Sequence, residues 1–279
     1  MPELPEVQAH AERLTEAYAG QRLARFVPLT FTALKTVAPA PSEAHGRPLE
    51  GVGRRGKYLL LRFEPLTFVV HLMQGGRLGF DAKQAAKPRG GQARFVFEGD
   101  LPALLLTEQG TERKAGVWCV ASDAALTSPP LKELGPEADL VEPDELAARF
   151  ATRSVRLHGF LRDQRSIAGL GRRLANEVCH RAQLSPFAMT GKLGEEAAEV
   201  VKAIRDAVAE GLEYERGRDD MSSSKERPGR VHGRTGEPCP VCGDPIRAVE
   251  YSGYTVNYCP TCQTGGKVLA DNTTSRFLK

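Results

Sequence analysis

Four cysteines constrain this chain most: Cys239-Pro-Val-Cys242 and Cys259-Pro-Thr-Cys262, two Cys-x-x-Cys pairs with 16 residues between them. Four thiolates at that spacing close a tetrahedral Zn²⁺ site, each pair fitting a tight turn at the tip of a β-hairpin, so residues 233–266 are expected to form a zinc ribbon around one ion. Protein sulfur fills every coordination position and leaves no water to activate, which makes the expected metal structural. Cys119 and Cys179 stand singly among apolar residues and read as buried small hydrophobes. The opening MPELPEVQAH has no basic stretch running into an apolar one, so it does not read as a secretory signal. The cytoplasm is the expected compartment, where paired cysteines bind metal rather than each other.

With 279 residues, the chain has room for two domains and the ribbon. No apolar run is long enough to span a bilayer, so no membrane partner is expected. Val7, Ala11, Leu14 and Ala17 recur at helical spacing and predict one amphipathic helix over 6–19. Short apolar or alternating segments follow at Tyr58–Phe63, Phe68–Leu72, Arg94–Phe97 and Leu104–Leu106, as in an antiparallel sandwich or barrel. The Pro-, Gly- and acid-rich text near 131–150 reads as a linker between a first domain at 1–130 and a helical domain at 151–232. Helical spacing appears near 144–150, 154–165, 172–183 and 194–214, while 216–236 is nearly devoid of apolar side chains and reads as a mobile loop. Residues 267–279 form a tail without an evident role. The expected class is α+β.

A net charge of +3 says little about partners, but its distribution says more. Between 151 and 181 there are seven arginines against Asp163 and Glu177. Such a basic segment suits a polyanion and equally suits a solvated face. The second residue is Pro2, which would carry a secondary amine at the chain terminus once Met1 is removed. An α-amine with a pKa of about 8 is substantially unprotonated near neutrality and can attack a sugar C1′ to give an iminium directly.

Taken together, MPELPEV, GRRGKYLL at 53–60, RDQRSIAGLG at 162–171, GEPCPVCGDPI and YCPTCQ, in this order, resemble the formamidopyrimidine-DNA glycosylase and endonuclease VIII family over nearly the whole chain. The resemblance implies an N-terminal β-sandwich flanked by helices, a helix–two-turn–helix domain, a C-terminal zinc ribbon, and DNA in the cleft between the domains. It implies Pro2 as nucleophile, Glu3 as acid/base carboxylate, Glu6 as the second carboxylate of the opening motif and Lys57 as the lysine facing the lesion. Glu3 and Glu6 also suit the positive end of the first helix, and Lys57 suits a solvated turn. Gly171 and Arg172, opening a helix after Gly169-Leu170, are implied phosphate contacts.

The chain departs from the family pattern at DNA-contacting positions. Gln74 stands where a methionine is usual, and Arg172 where an asparagine is usual. The loop 108–116, usually ending Arg-Phe-Gly, has no aromatic and offers Arg113 and Lys114. Tyr254 stands at the hairpin position usually held by arginine. The expected function is excision of oxidised or ring-opened bases, followed by abasic-site cleavage through β,δ-elimination, by a monomer acting on damaged double-stranded DNA in the nucleoid. A second reading is a binder of damaged or abasic DNA that excises no base. A third is a zinc-ribbon interaction protein with no DNA role.

Overall fold

The computed structural model describes residues 2–109, 113–221, 226–251 and 253–269. They fall into two compact units, 1–133 with 215–221, and 134–214 with 222–279.

In the first unit, helix α1 (Leu4–Tyr18) buries Val7, Ala11, Leu14 and Tyr18 along one stripe, as its spacing predicts. Eight strands follow: β1 (Leu23–Pro28), β2 (Gly51–Arg55), β3 (Tyr58–Phe63), β4 (Leu66–His71), β5 (Gly76–Asp81), β6 (Gly91–Phe97), β7 (Ala103–Glu108) and β8 (Gly116–Ala121). They form two antiparallel four-stranded sheets, in the orders β1-β6-β7-β5 and β2-β3-β4-β8. Phe26 and Phe95 of one sheet meet Phe68 of the other, each pair with ring centroids 5.3 Å apart, so the interior is a sandwich filled by aromatic rings.

Two bonds fix α1 on the edge strand β2. The Thr15 hydroxyl accepts the Val52 N–H at 2.8 Å, and Arg54 Nε donates to Gln8 Oε1 at 3.1 Å. Moving toward the start of α1 therefore means moving toward the β2–β3 turn. The beginning of α1 and the turn carrying Lys57 consequently lie at the same end of this unit.

Four helices occupy the second unit or run through it: α2 (Pro143–Thr152), α3 (Leu157–Arg162), α4 (Arg172–Arg181) and α5 (Ala197–Arg216). The hairpin β9 (Arg247–Tyr251) and β10 (Tyr254–Tyr258) and the short helix α6 (Pro260–Thr264) complete it. Residues 134–150 belong to this unit, with Leu146 and Phe150 of α2 buried and Phe150 packed edge-on against Phe160 at 4.9 Å. The helix expected over 154–165 stops at Arg162. There Asp163 accepts the Arg165 N–H, and the Gln164 side chain accepts the Gly169 N–H while donating to the Arg162 and Leu170 carbonyls. These local side-chain bonds replace the next helical turn.

The described parts of 216–236 are anchored, contrary to the mobile loop their composition suggests. Residues 215–221 count with the first unit: Arg216 grips Glu12 with two bonds of 2.8 and 2.7 Å, Arg13 donates to the Glu215 and Arg218 carbonyls, and Met221 joins the sandwich core. Further on, Glu177 of α4 accepts the N–H groups of Arg230, Val231 and His232 at 2.8, 3.1 and 2.9 Å. Ion pairs and backbone bonds hold these segments, together with the buried side chains of Met221 and Val231. Residues 222–225 and most of the 267–279 tail lie outside the described residues; its start is held by Leu269, whose N–H donates to the Tyr258 hydroxyl. Among the described residues no helix is long and apolar enough to cross a membrane.

Candidate functional site

Chemistry-bearing residues of the first unit gather at the start of α1. Pro2, Glu3 and Glu6 are all buried there, and Glu6 Oε2 accepts the Glu3 N–H at 2.9 Å. This bond satisfies an N–H that the helix leaves without a partner and fixes the peptide joining Pro2 to Glu3. Lys57, in the Gly56–Lys57 turn between β2 and β3, is only 7 % exposed. An ammonium buried to that degree is uncommon unless something requires it. Its charge is felt by His71, which ends β4 opposite Tyr58 and packs on that ring at 4.4 Å. Burial, with Lys57 adding to it, pulls the His71 pKa down to about 4, so the imidazole is neutral at physiological pH. Sequence reasoning did not single out His71; its signal is the cross-strand register that places it beside the lysine turn.

Gln74 is exposed in the β4–β5 turn, whose geometry depends on glycine: a Cβ at Gly76 would lie 2.0 Å from the Leu72 carbonyl oxygen. A Cβ at Gly75 would meet the Gln109 backbone at 3.3 Å, so this turn touches the start of the 108–116 loop. That loop closes on Glu108, whose buried Oε2 accepts the N–H groups of Lys114 and Ala115 at 2.6 Å each. Arg113 and Lys114 are exposed beside it, while 110–112 lie outside the described residues. Gln74 and Arg113 are thus carried by two adjoining pieces of backbone.

In the second unit the four sulfurs of Cys239, Cys242, Cys259 and Cys262 lie within 4.8 Å of one another, with Cys239–Cys262 at 3.9 Å and Cys242–Cys259 at 3.4 Å. Tetrahedral Zn–S bonds of 2.3 Å place sulfurs about 3.8 Å apart, so the donor set fits one structural Zn²⁺. The first pair sits in a knuckle where Gly243 N–H donates to the Cys239 carbonyl and Gly243 takes φ +78°. The second does not occupy a hairpin tip: Cys259 directly follows β10 and is the N-cap of α6, its N–H donating to Gln263 Oε1. Gln263 also donates to the Leu184 carbonyl, and His180 of α4 lies 3.3 Å from Cys239 Sγ, tying the ribbon to the helices. Cys119 and Cys179 are buried, and burial pushes both thiols up, Cys119 to about 12.

Gly171 is the N-cap of α4 in an extended conformation, after Gly169 at φ +105°. Arg172, the next residue, donates from its guanidinium to the Gly253 carbonyl at 2.7 Å, which brings it to the hairpin turn that carries Tyr254. Sequence reasoning treated Arg172 and Tyr254 as separate contacts; the structure brings them together.

Residues 1–113 match the formamidopyrimidine-DNA glycosylase N-terminal domain, and 236–265 match the zinc finger found in FPG and IleRS. An uncharacterized formamidopyrimidine-DNA glycosylase-like protein of Mycobacterium tuberculosis is 43% identical over 162 residues, which is 54% of this chain and 98% of that protein. The formamidopyrimidine-DNA glycosylase of Methylococcus capsulatus is 33% identical over 284 residues, covering 94% of this chain and 100% of that one. Among solved structures, the MutM (FPG) protein of Thermus thermophilus superposes with a TM-score of 0.77 at 32% identity, covering 96% and 100% of the two chains. Lactococcus lactis Fpg bound to DNA containing an AP site gives a TM-score of 0.80 at 21% identity over 94% and 99%, a likeness of fold.

Proposed function

The chain belongs to the formamidopyrimidine-DNA glycosylase family, and from that premise we propose that it is a bifunctional DNA glycosylase and abasic-site lyase working in base-excision repair. The observation that carries this reading is the start of α1, where Pro2 and Glu3 are buried on a peptide fixed by Glu6, at the same end of the unit as the buried Lys57. Once Met1 is removed, the Pro2 nitrogen attacks C1′ of a nucleotide turned out of the duplex, and the C1′–N bond breaks as the base leaves with a proton. Glu3 supplies the proton that opens the sugar ring, giving a Pro2 iminium. Loss of a C2′ proton then expels the 3′-phosphate, and a second elimination expels the 5′-phosphate. Lys57 faces the lesion, Glu6 positions the Glu3 backbone, and neutral His71 keeps a second cation away from Lys57.

Gln74 and Arg113 are proposed to line the gap left by the extruded nucleotide, while Gly171, Arg172 and Tyr254 contact the backbone of double-stranded DNA. An apolar wedge offsets unstacking that costs a few kcal/mol, so this polar pair favours mispaired, abasic or single-stranded substrates over well-paired lesions. The same feature favours a second reading, recognition of damaged or abasic DNA without base excision. We propose a monomer acting in the cytoplasm, at the nucleoid.

Borohydride trapping separates the two readings. Untagged, Met1-processed protein is incubated with duplex and single strands carrying an abasic site, 8-oxoguanine, formamidopyrimidine or an oxidised pyrimidine. A reduced covalent adduct on Pro2, absent after the amine is acetylated, is the expected result. Binding without an adduct on any substrate overturns the lyase reading in favour of the binder.

A further inference from the structure

We propose that Arg162 of α3, clamped on Tyr254, forms with Arg156 and Arg172 a cationic platform at the β9–β10 turn that seats phosphodiester groups of a nucleic-acid backbone. This deepens the DNA-directed reading and rests on it.

Arg156 and Arg162 bound α3, Arg172 opens α4, and all three converge on the two tyrosines of one hairpin. Arg162 Cζ lies 4.0 Å from the Tyr254 ring centre, and Arg172 Cζ lies 5.9 Å from it. Tyr254 stacks on Tyr251 with centroids 4.8 Å apart and planes 9° from parallel. The Tyr251 hydroxyl accepts a 2.9 Å bond from Arg156, which also lies 4.4 Å over the Phe187 ring. Guanidinium groups stack on aromatic faces readily, and stacking leaves their N–H edges directed outward.

A latch joining α3 to the ribbon would need only one such contact, and its charge would usually be balanced. Here it is not. Arg149, Arg153, Arg181, Arg205 and Arg234, all in this unit, each pair with a carboxylate. Among the described residues none of Arg156, Arg162 and Arg172 does, and the Arg162 guanidinium makes no hydrogen bond. The nearby carboxylates are engaged elsewhere: Asp163 with Arg153, and Glu250 with the Thr255 hydroxyl at 2.8 Å. His158, whose ring is parallel to that of Tyr254 at 6.2 Å, brings no compensating or competing charge, because burial and then Arg162 lower its pKa to about 3. Like charges gathered around one tyrosine pair, with donors still available and no carboxylate paired to them among the described residues, are suited to an external polyanion. Guanidinium forks match phosphate oxygens in particular.

The test is the salt dependence of binding to undamaged and abasic duplexes, read by fluorescence anisotropy between 50 and 200 mM salt. Arg162→Gln should reduce the slope of log K against log salt by about 0.9 and weaken binding roughly eightfold at 0.1 M salt. Tyr254→Leu, which removes the ring that holds Arg162, should give the same change, and the double variant should add little to either. Arg162→Lys should restore much of the slope, and Arg149→Gln, which removes an exposed, paired arginine of α2, should leave it unaltered. Unchanged slope and affinity in a zinc-loaded, normally stable Arg162→Gln protein would overturn the proposal and make Arg162 a structural strut. If Arg162→Gln fails to fold, Arg162→Lys is compared with Tyr254→Leu instead, and equal slopes for those two overturn it as well. Borohydride trapping on the same samples reports on the excision chemistry alone: a slope change without any wild-type adduct supports the platform and removes only the lyase reading.

Discussion

Replacing Glu177 by glutamine should unlock the approach to the zinc ribbon. Glu177 is 5 % exposed and accepts three backbone N–H groups, with Oε1 taking Val231 and His232 and Oε2 taking Arg230. Burial alone would raise its pKa, but those donors, with Arg173 behind them, more than offset this and hold the carboxyl below the ordinary range. Glutamine has the same shape, yet only its carbonyl oxygen can accept. In the better orientation, the Val231 and His232 bonds survive as neutral ones at about half strength, while the amide NH₂ faces the Arg230 N–H, donor against donor. One buried donor left unsatisfied costs about 1–3 kcal/mol, and two weakened bonds cost about 1 kcal/mol each. The expected loss is therefore about 3–5 kcal/mol, measurable as a lower urea midpoint with unchanged m at fixed zinc concentration. Gly229→Ala provides an independent probe, because its Cβ would lie 2.8 Å from Glu177 Oε1. A Glu177→Gln loss below about 1 kcal/mol would refute the claim that this carboxylate organises 229–232.

Three further outcomes follow from the structure. Cys262→Ser, or chelation with thiol blocking, should lower bound zinc from one per chain toward none and loosen the ribbon, as read by metal analysis and urea melts. Gly76→Ala should destabilise the first unit by about 2–4 kcal/mol, because the clash is with the Leu72 backbone and no flexible side chain can yield; a neutral urea midpoint would contradict this. Stability should fall as pH drops from about 6.5 toward 4. Burial holds the His10 and His71 pKa values near 4 and that of His158 near 3, so across this window the unfolded chain binds protons that the folded chain refuses. Each histidine then contributes up to about 1.4 kcal/mol per pH unit, and a urea midpoint flat between pH 7 and 5 would count against all three.

Legibility followed how local each signal was. The zinc ligands could be read from spacing because two Cys-x-x-Cys turns and one ion define the site without reference to the rest of the fold. Strand β3 was legible to its ends because Leu59, Leu61 and Phe63 alternate into the core. Strands β2 and β5 were not, since Gly51-Val52-Gly53 and Gly76-Arg77-Leu78-Gly79 read as turn or polar text and pair only because neighbouring strands supply register. The end of α3 was hidden because Asp163 and Gln164 are acceptable helix residues whose side chains here bond to the following turn. The grouping of Arg162 and Arg172 with Tyr254 was out of reach for a different reason: it joins α3, α4 and a hairpin far along the chain, and no periodicity encodes it.

At the opening of α1 the fold and the proposed chemistry support one another, and Glu6 is where they can be tested together. Glu3 and Glu6 form a capping box at the first turn of α1, with the buried Lys57 at the same end of the unit. Glu6 Oε2 accepts the Glu3 N–H, one peptide beyond Pro2. Its contribution on this reading is to fix the direction in which Pro2 leaves the helix. Glu6→Gln keeps an acceptor for that N–H and should retain most of the trapping rate, while Glu6→Ala loses it. The alanine variant should be about 0.5–2 kcal/mol less stable and should trap abasic DNA more slowly than the glutamine variant at saturating substrate. Wild-type trapping rates in both variants, with the stability difference present, would confine Glu6 to capping; a loss from the wild-type rate as large in glutamine as in alanine would show that its negative charge takes part in the chemistry itself.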